Sequence, residues 1–108
     1  MVFYFSFVLF YIMENSRKNA DLNLEIEKKK IGVRFRQLRK EMGYTSHETF
    51  AYDNNLDRAQ YGKIEAGSAN LTLKVFIKHL NVMRVSFSEF FNEDYDKIDL
   101  NGNTNQFN

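Results

Sequence analysis

The chain contains no cysteine, no proline and no tryptophan in 108 residues. Without cysteine, disulfide frameworks and thiolate metal sites are excluded. This usage fits a reducing compartment, and a cytoplasmic location is expected. Without proline, and with only five glycines, many hairpins cannot be punctuated, so composition leans towards helices joined by short turns. The two histidines, His47 and His79, have no metal-ligand spacing, and the carboxylates are scattered. No glycine-rich phosphate loop is present. The chain is therefore expected to bind no metal or cofactor and to catalyse nothing.

What is present is apolar and aromatic. Hydrophobic residues make up 44% of the chain, with 11 Phe and 6 Tyr, enough for the compact core of one domain. The net charge of +1 conceals an uneven distribution. Residues 28–84 hold twelve Lys/Arg against five Asp/Glu, a net of +7, and the flanks hold three against nine, a net of −6. A basic middle between acidic ends points to a polyanion as partner of the middle.

The ends differ from the centre. Residues 1–13, MVFYFSFVLFYIM, fall short of the roughly 20 residues that span a bilayer. They also lack the basic start and small-residue cleavage site of a secretory signal. Three readings are open. Translation begins at Met13, with residues 1–12 absent from the native product; the run is a short membrane-seeking anchor; or it packs on a partner. The first is preferred. Residues 14–30 are polar and charged with weak helical periodicity at Leu22, Leu24 and Ile26, and are expected to form a partly helical lead-in. Residues 93–108 are acidic and then Asn-rich, which predicts a disordered tail. The expected division is a lead-in over 1–27, a folded domain over 28–92 and a tail over 93–108.

Within the middle, Ile31, Phe35, Leu38 and Met42 share one helical face, and Gly43 is suited to stop that helix. Ser46 caps a second helix carrying Phe50 and Ala51 inward, with Glu48 in its first turn. Asn55 stands where a left-handed turn residue is needed. Asp57 caps a third helix, with Leu56 placed to staple against Tyr61, and Gly67 ends it. Thr72 caps a fourth helix with Leu73, Phe76, Ile77, Leu80 and Met83 inward and His79 partly exposed. Ser86 and Glu89 form a capping-box pattern before Phe87, Phe90 and Phe91. The prediction is all-α, five short helices without a strand.

Phe50-Ala51, Asn55-Leu56, then Tyr61 and Ile64 have the spacing of two helices crossing at a tight turn. At these residues the sequence resembles the Cro/repressor-type (XRE, lambda-repressor-like) helix-turn-helix family. The resemblance covers residues 31–91 through IGVRFRQLRKEMG, SHETFA, LDRAQYGKIEAG, NLTLKVFIKHL and VSFSEFF. It implies a five-helix fold that binds specific double-stranded DNA, usually as a homodimer, with the 57–65 helix in the major groove.

The resemblance also implies roles. Arg58, Ala59, Gln60 and Lys63 fall at base-reading positions. Arginine suits guanine O6 and N7, and Ala59 suits a thymine methyl. Gly62 would keep that surface low. Ser46, His47, Asn70, Thr72 and Arg34 fall near the backbone phosphates, with Lys28–Lys30 adding non-specific attraction. Glu65 would pair with Arg39 and hold the reading helix in place. Family members often have glycine near Arg84, so an irregular exit from the fourth helix is expected. Ala66 replaces a polar residue that often touches phosphate.

The leading expectation is thus a DNA-binding transcriptional regulator of the repressor kind. Two other readings keep the same DNA-binding face. One is the antitoxin half of a toxin–antitoxin pair, with a protein partner engaged through the terminal segments. The other is a membrane-tethered regulator, which depends on residues 1–13.

Overall fold

The computed structural model describes residues 8–9 and 21–101. Apart from Val8 and Leu9, the apolar run 1–13 lies outside the described residues, as do residues 14–20 and 102–108. Among the described residues from 21 on, six helices and no strand are found. They are α1 (Leu24–Glu41), α2 (His47–Asp53), α3 (Arg58–Ala66), α4 (Leu73–Met83), α5 (Phe87–Phe90) and α6 (Glu93–Asp96). None of them is long and apolar enough to cross a membrane.

Each helix begins where a short polar side chain takes up a free backbone N–H. Asn23 accepts from Ile26, Ser46 from Glu48 and Thr49, Asp57 from Gln60, and Thr72 from Val75. Ser86 and Glu89 complete a capping box. Helices α1 to α4 also end alike. At each end one residue turns left-handed, and paired N–H bonds return to carbonyls three and five residues earlier. For α3, Gly67 N–H donates to Ile64 and Ser68 N–H to Lys63. The left-handed residues are Gly43, Asn55, Gly67 and Arg84. Arg84, at φ 58°, is the irregular exit of the fourth helix.

Phe35 lies at the centre of the core, fully buried. Its ring meets Phe90 at 4.9 Å, Phe76 at 5.7 Å, His79 at 6.1 Å and Tyr61 at 6.4 Å between centroids. Helix α1 crosses α3 at Gly32. A Cβ there would stand 2.5 Å from the Glu65 carbonyl oxygen and 2.7 Å from that of Ile64. Only glycine permits this approach. Gly67 adds a second close approach, with a Cβ there 2.8 Å from Lys29 Cα.

Several expectations need correction. Helix α1 starts at Leu24, so residues 24–27 belong to the fold. Leu24 and Ile26 are exposed, so the periodicity of these first turns is weak and the domain boundary is expected four residues too late. Residues 93–98 are not disordered. Tyr95 and Ile98 are buried, the Tyr95 hydroxyl donates to Glu27, and Lys30 lies over the Tyr95 ring, 4.4 Å from its centroid. The inward face of α4 is Phe76, His79, Leu80 and Met83, whereas Leu73 and Ile77 are exposed. Met42, Phe87 and Phe91 are likewise exposed.

Candidate nucleic-acid interface

Helix α3 carries the site, and α1 fixes its position. Glu65 accepts from Arg39 Nε at 2.7 Å and from a terminal guanidinium nitrogen at 3.0 Å. The other terminal nitrogen of Arg39 donates to the Tyr44 carbonyl at 2.8 Å. All three guanidinium nitrogens are thus used, and Arg39 is 4% exposed. A bidentate fork of this kind sets angle as well as distance. The paired Glu65 carboxylate raises the Arg39 pKa further.

Tyr61 and Ile64 form the inward face of α3. The Tyr61 ring packs on Phe50 at 4.9 Å and stacks near His79 at 5.9 Å. Burial pushes the Tyr61 hydroxyl well above its ordinary pKa, and the Glu65 carboxylate adds to the shift. His79 Nδ1 lies 2.8 Å from the Val75 carbonyl, so Nδ1 carries the proton. His79 Nε2 and the Tyr61 hydroxyl are buried without a partner. Burial lowers the His79 pKa, and the ring is a neutral part of the core, not a partly exposed residue.

The outward face of α3 is different. Arg58, Ala59, Gln60 and Lys63 are all exposed. Ala59, Gln60 and Lys63 line a groove of about 600 Å³ with Asp57, Ser68, Ala69 and Asn70. The structure therefore brings Asn70 beside the α3 face across the turn that follows it. Ser68 closes that turn with its N–H and hydroxyl on the Lys63 carbonyl. Ser68 and Ala69 were not among the expected contacts. The signal for them was the glycine stop at Gly67, which obliges the next residues to fold back along the helix.

His47 and Gly62 meet at the junction of α2 and α3. A Cβ on Gly62 would lie 3.5 Å from His47 Nε2. What approaches Gly62 is thus the His47 ring. Ser46 and Thr72 use their side-chain oxygens as helix caps and sit at the N-termini of α2 and α4, where the helix dipole is positive.

Arg34 is not available to a phosphate. It is 3% exposed. Its Nε donates to the Phe90 carbonyl at 2.9 Å, one terminal nitrogen to the Glu89 carbonyl at 2.6 Å, and the other to Gln37. It satisfies the free carbonyls at the end of α5, a favourable place for a cation. Lys28 and Lys30 pair with Glu25 and Glu27 at 3.6 and 4.0 Å, which reduces their pull on a distant anion.

A helix-turn-helix family model matches residues 35–90, more than half of the chain. The chain belongs to the Cro/repressor-type helix-turn-helix family. No curated protein and no solved structure matches it. The architecture, helical and without a strand among the described residues, fits a lambda-repressor-like fold. Membership makes the chain a DNA-binding regulator in general terms, and within this family α2 and α3 correspond to the helix-turn-helix. The family is a DNA-binding one and not an enzymatic one.

Proposed function

We propose that this protein is a transcriptional regulator that reads specific duplex DNA by placing α3 in the major groove. One observation supports this most. Helix α3 is locked from behind by Arg39–Glu65, while Arg58, Ala59, Gln60 and Lys63 stand outward and exposed. Arg58 and Lys63 suit guanine, Gln60 suits adenine and Ala59 suits a thymine methyl. His47, Ser46, Asn70 and Thr72 then hold phosphates beside the groove, the first two at the N-terminus of α2 and the last two near that of α4. Arg34 takes no part. The protein acts as a homodimer on two half-sites related by its own two-fold axis.

In vitro selection of duplex DNA by the purified protein tests this. The expected result is an enriched, palindromic site with half-sites one helical turn apart. Enrichment of no sequence would remove the proposal of specific reading, and a single non-repeated site would remove the dimer.

A further inference from the structure

A cleft of about 250 Å³ lies behind α3, between the first turns of α1 and the turn that leads from α3 to α4. Its walls are apolar. Leu24 and Ile31 come from α1, Ile64 from the inner face of α3, and Ala69 and Leu71 from the turn. Leu24, Lys28 and Ile31 recur at i, i+4 and i+7, so one stripe of α1 faces the cleft. Two polar residues, Lys28 and Asn70, complete the lining. Ile31 and Leu71 are shared with an open apolar groove of about 340 Å³, lined further by Leu73, Phe76, Phe87 and Phe91, so the two spaces adjoin. The rings of Phe87 and Phe91 each stack parallel to Phe76, at 5.7 Å in both cases, which holds them as walls.

This combination selects a ligand. An apolar trough with one cation and one amide at its more enclosed end matches an aliphatic chain that ends in a carboxylate. Lys28 decides the charge. Its side chain is only 13% exposed, and its contact with Glu25, itself 69% exposed, is 3.6 Å long. That exceeds hydrogen-bond length, so the three ammonium donors remain for a closer oxygen. Asn70 adds two amide donors. At about 30 Å³ per heavy atom, near the share of a water molecule in the liquid, the cleft holds roughly eight atoms. A ten-carbon acid therefore fills it and extends its last carbons along the groove. A second copy covering the same surface would instead bury the Lys28 ammonium at the core of an interface, where lysine is depleted.

We infer that this cleft binds a free medium-chain aliphatic monocarboxylate, with the carboxylate on Lys28 and Asn70, and that filling it weakens DNA binding. The coupling follows from shared residues. Ala69 and Asn70 line both this cleft and the groove beside the outer face of α3. A carboxylate on Asn70 occupies its donors and sets a negative charge beside the place proposed for a backbone phosphate, where like charges repel. The coupling rests on that proposed phosphate contact, and the site itself does not.

Decanoate is the probe, titrated below its micellar concentration into the full 108-residue chain, free of DNA. The methyl signals of Ile31, Ile64 and Leu71 should shift saturably at one ligand per chain. Hexanoate, four methylenes shorter, should bind about tenfold more weakly, since the groove half-covers the lost carbons. Lys28→Gln should lose about fivefold in decanoate affinity and keep its affinity for decanol. Leu24→Ser, at a rim position already 68% exposed, should weaken both ligands and serves should Lys28→Gln disturb the fold. Absent shifts, or equal losses of decanol and decanoate in Lys28→Gln, overturn the site. Shifts that appear only with phosphatidylcholine–phosphatidylglycerol vesicles overturn it in favour of a bilayer surface. On the selected duplex, saturating decanoate should lower affinity about fivefold, and the duplex should lower decanoate affinity by the same factor. Decanoate binding with DNA affinity unchanged overturns the coupling. Failure to select any duplex would sink DNA reading and the coupling with it, while the decanoate titration still decides the site.

Discussion

The two faces of α3 lie on opposite sides of one nine-residue helix and are built on opposite rules. On the inner face the side chains are packed and held, with Tyr61 and Ile64 buried and Glu65 taking two bonds from Arg39. On the outer face Arg58, Gln60 and Lys63 have, among the described residues, no side-chain hydrogen bond or ion pair, although each could form several. Long side chains left unpaired on an exposed face add little to folding. The contrast separates stability from recognition within nine residues. Substitutions on the inner face should unfold the protein, and those on the outer face should leave it folded and blind.

The strongest way to break the contrast is at its lock. Arg39→Ala leaves Glu65 facing an empty, nearly dry site. Removing one partner of a buried pair costs about 3–5 kcal/mol, read as a lower urea midpoint. The Glu65→Ala partner allows a double-mutant cycle, and the coupling should be a large part of either single loss. An unchanged midpoint for Arg39→Ala would show that α3 is positioned by its apolar contacts alone.

The helix crossing comes next. Gly32→Ala sets a methyl 2.5 Å from the Glu65 carbonyl oxygen, which is backbone and cannot rotate aside. The helices must part, at a cost of about 1–3 kcal/mol, seen as a lower melting temperature. Affinity for DNA should fall with stability here, since the whole reading helix shifts.

The outer face should respond in the reverse sense. Arg58→Ala and Lys63→Ala should each lose about 1–3 kcal/mol of discrimination between selected and random duplex, measured by competition binding. Their melting temperatures should stay near that of the wild type, because exposed substitutions fall within about 0.5 kcal/mol. Arg34→Ala sharpens the point. It should cost stability through the unpaired carbonyls of Glu89 and Phe90 and leave the salt dependence of binding unchanged. A reduced salt slope would return Arg34 to the phosphate contacts.

Arg84→Gly changes neither face. A side chain in the left-handed region costs roughly 1–2 kcal/mol relative to glycine, and glycine loses part of that gain through its freer unfolded chain. A rise in stability of about 1 kcal/mol is expected by chemical denaturation, with DNA discrimination unchanged.

These residues also show how much of the fold was legible. The caps at Ser46, Asp57, Thr72 and Ser86 and the stops at Gly43, Asn55 and Gly67 depend on neighbouring residues alone, and their sequence signals are correspondingly clear. Arg34 looked like any surface cation because its partners are the carbonyls of residues 89 and 90, at the far end of the domain. The packing of Tyr95 against Glu27 and Lys30 has the same long range, and two apolar residues in an acidic stretch gave little warning. His79 is the opposite case. It fills the i+3 place between Phe76 and Leu80, so periodicity supported an inward position, but its polar chemistry suggested a surface one. For the candidate site, the polarity of the outer α3 face was visible in the sequence, whereas the groove shared with Ser68, Ala69 and Asn70 required the turn in three dimensions.

The smallest effect expected belongs to His79, and its sign follows from burial. Its folded pKa lies below the ordinary histidine value, so the unfolded chain binds the proton more readily. Stability from this group is complete above about pH 6.5 and is lost as pH falls from there towards the folded pKa. The cause is local. Nδ1 already donates to Val75, Nε2 is enclosed without an acceptor, and a second proton would place a charge against the Tyr61 ring beneath α3. Chemical denaturation at pH 7.5 and 5.5 should show wild-type stability falling across this window. His79→Phe should fall less, because the aromatic packing on Phe35 and Tyr61 remains while the titration is gone. Equal losses in the two proteins would mean that other groups carry the pH dependence and that the floor of α3 is insensitive to protons.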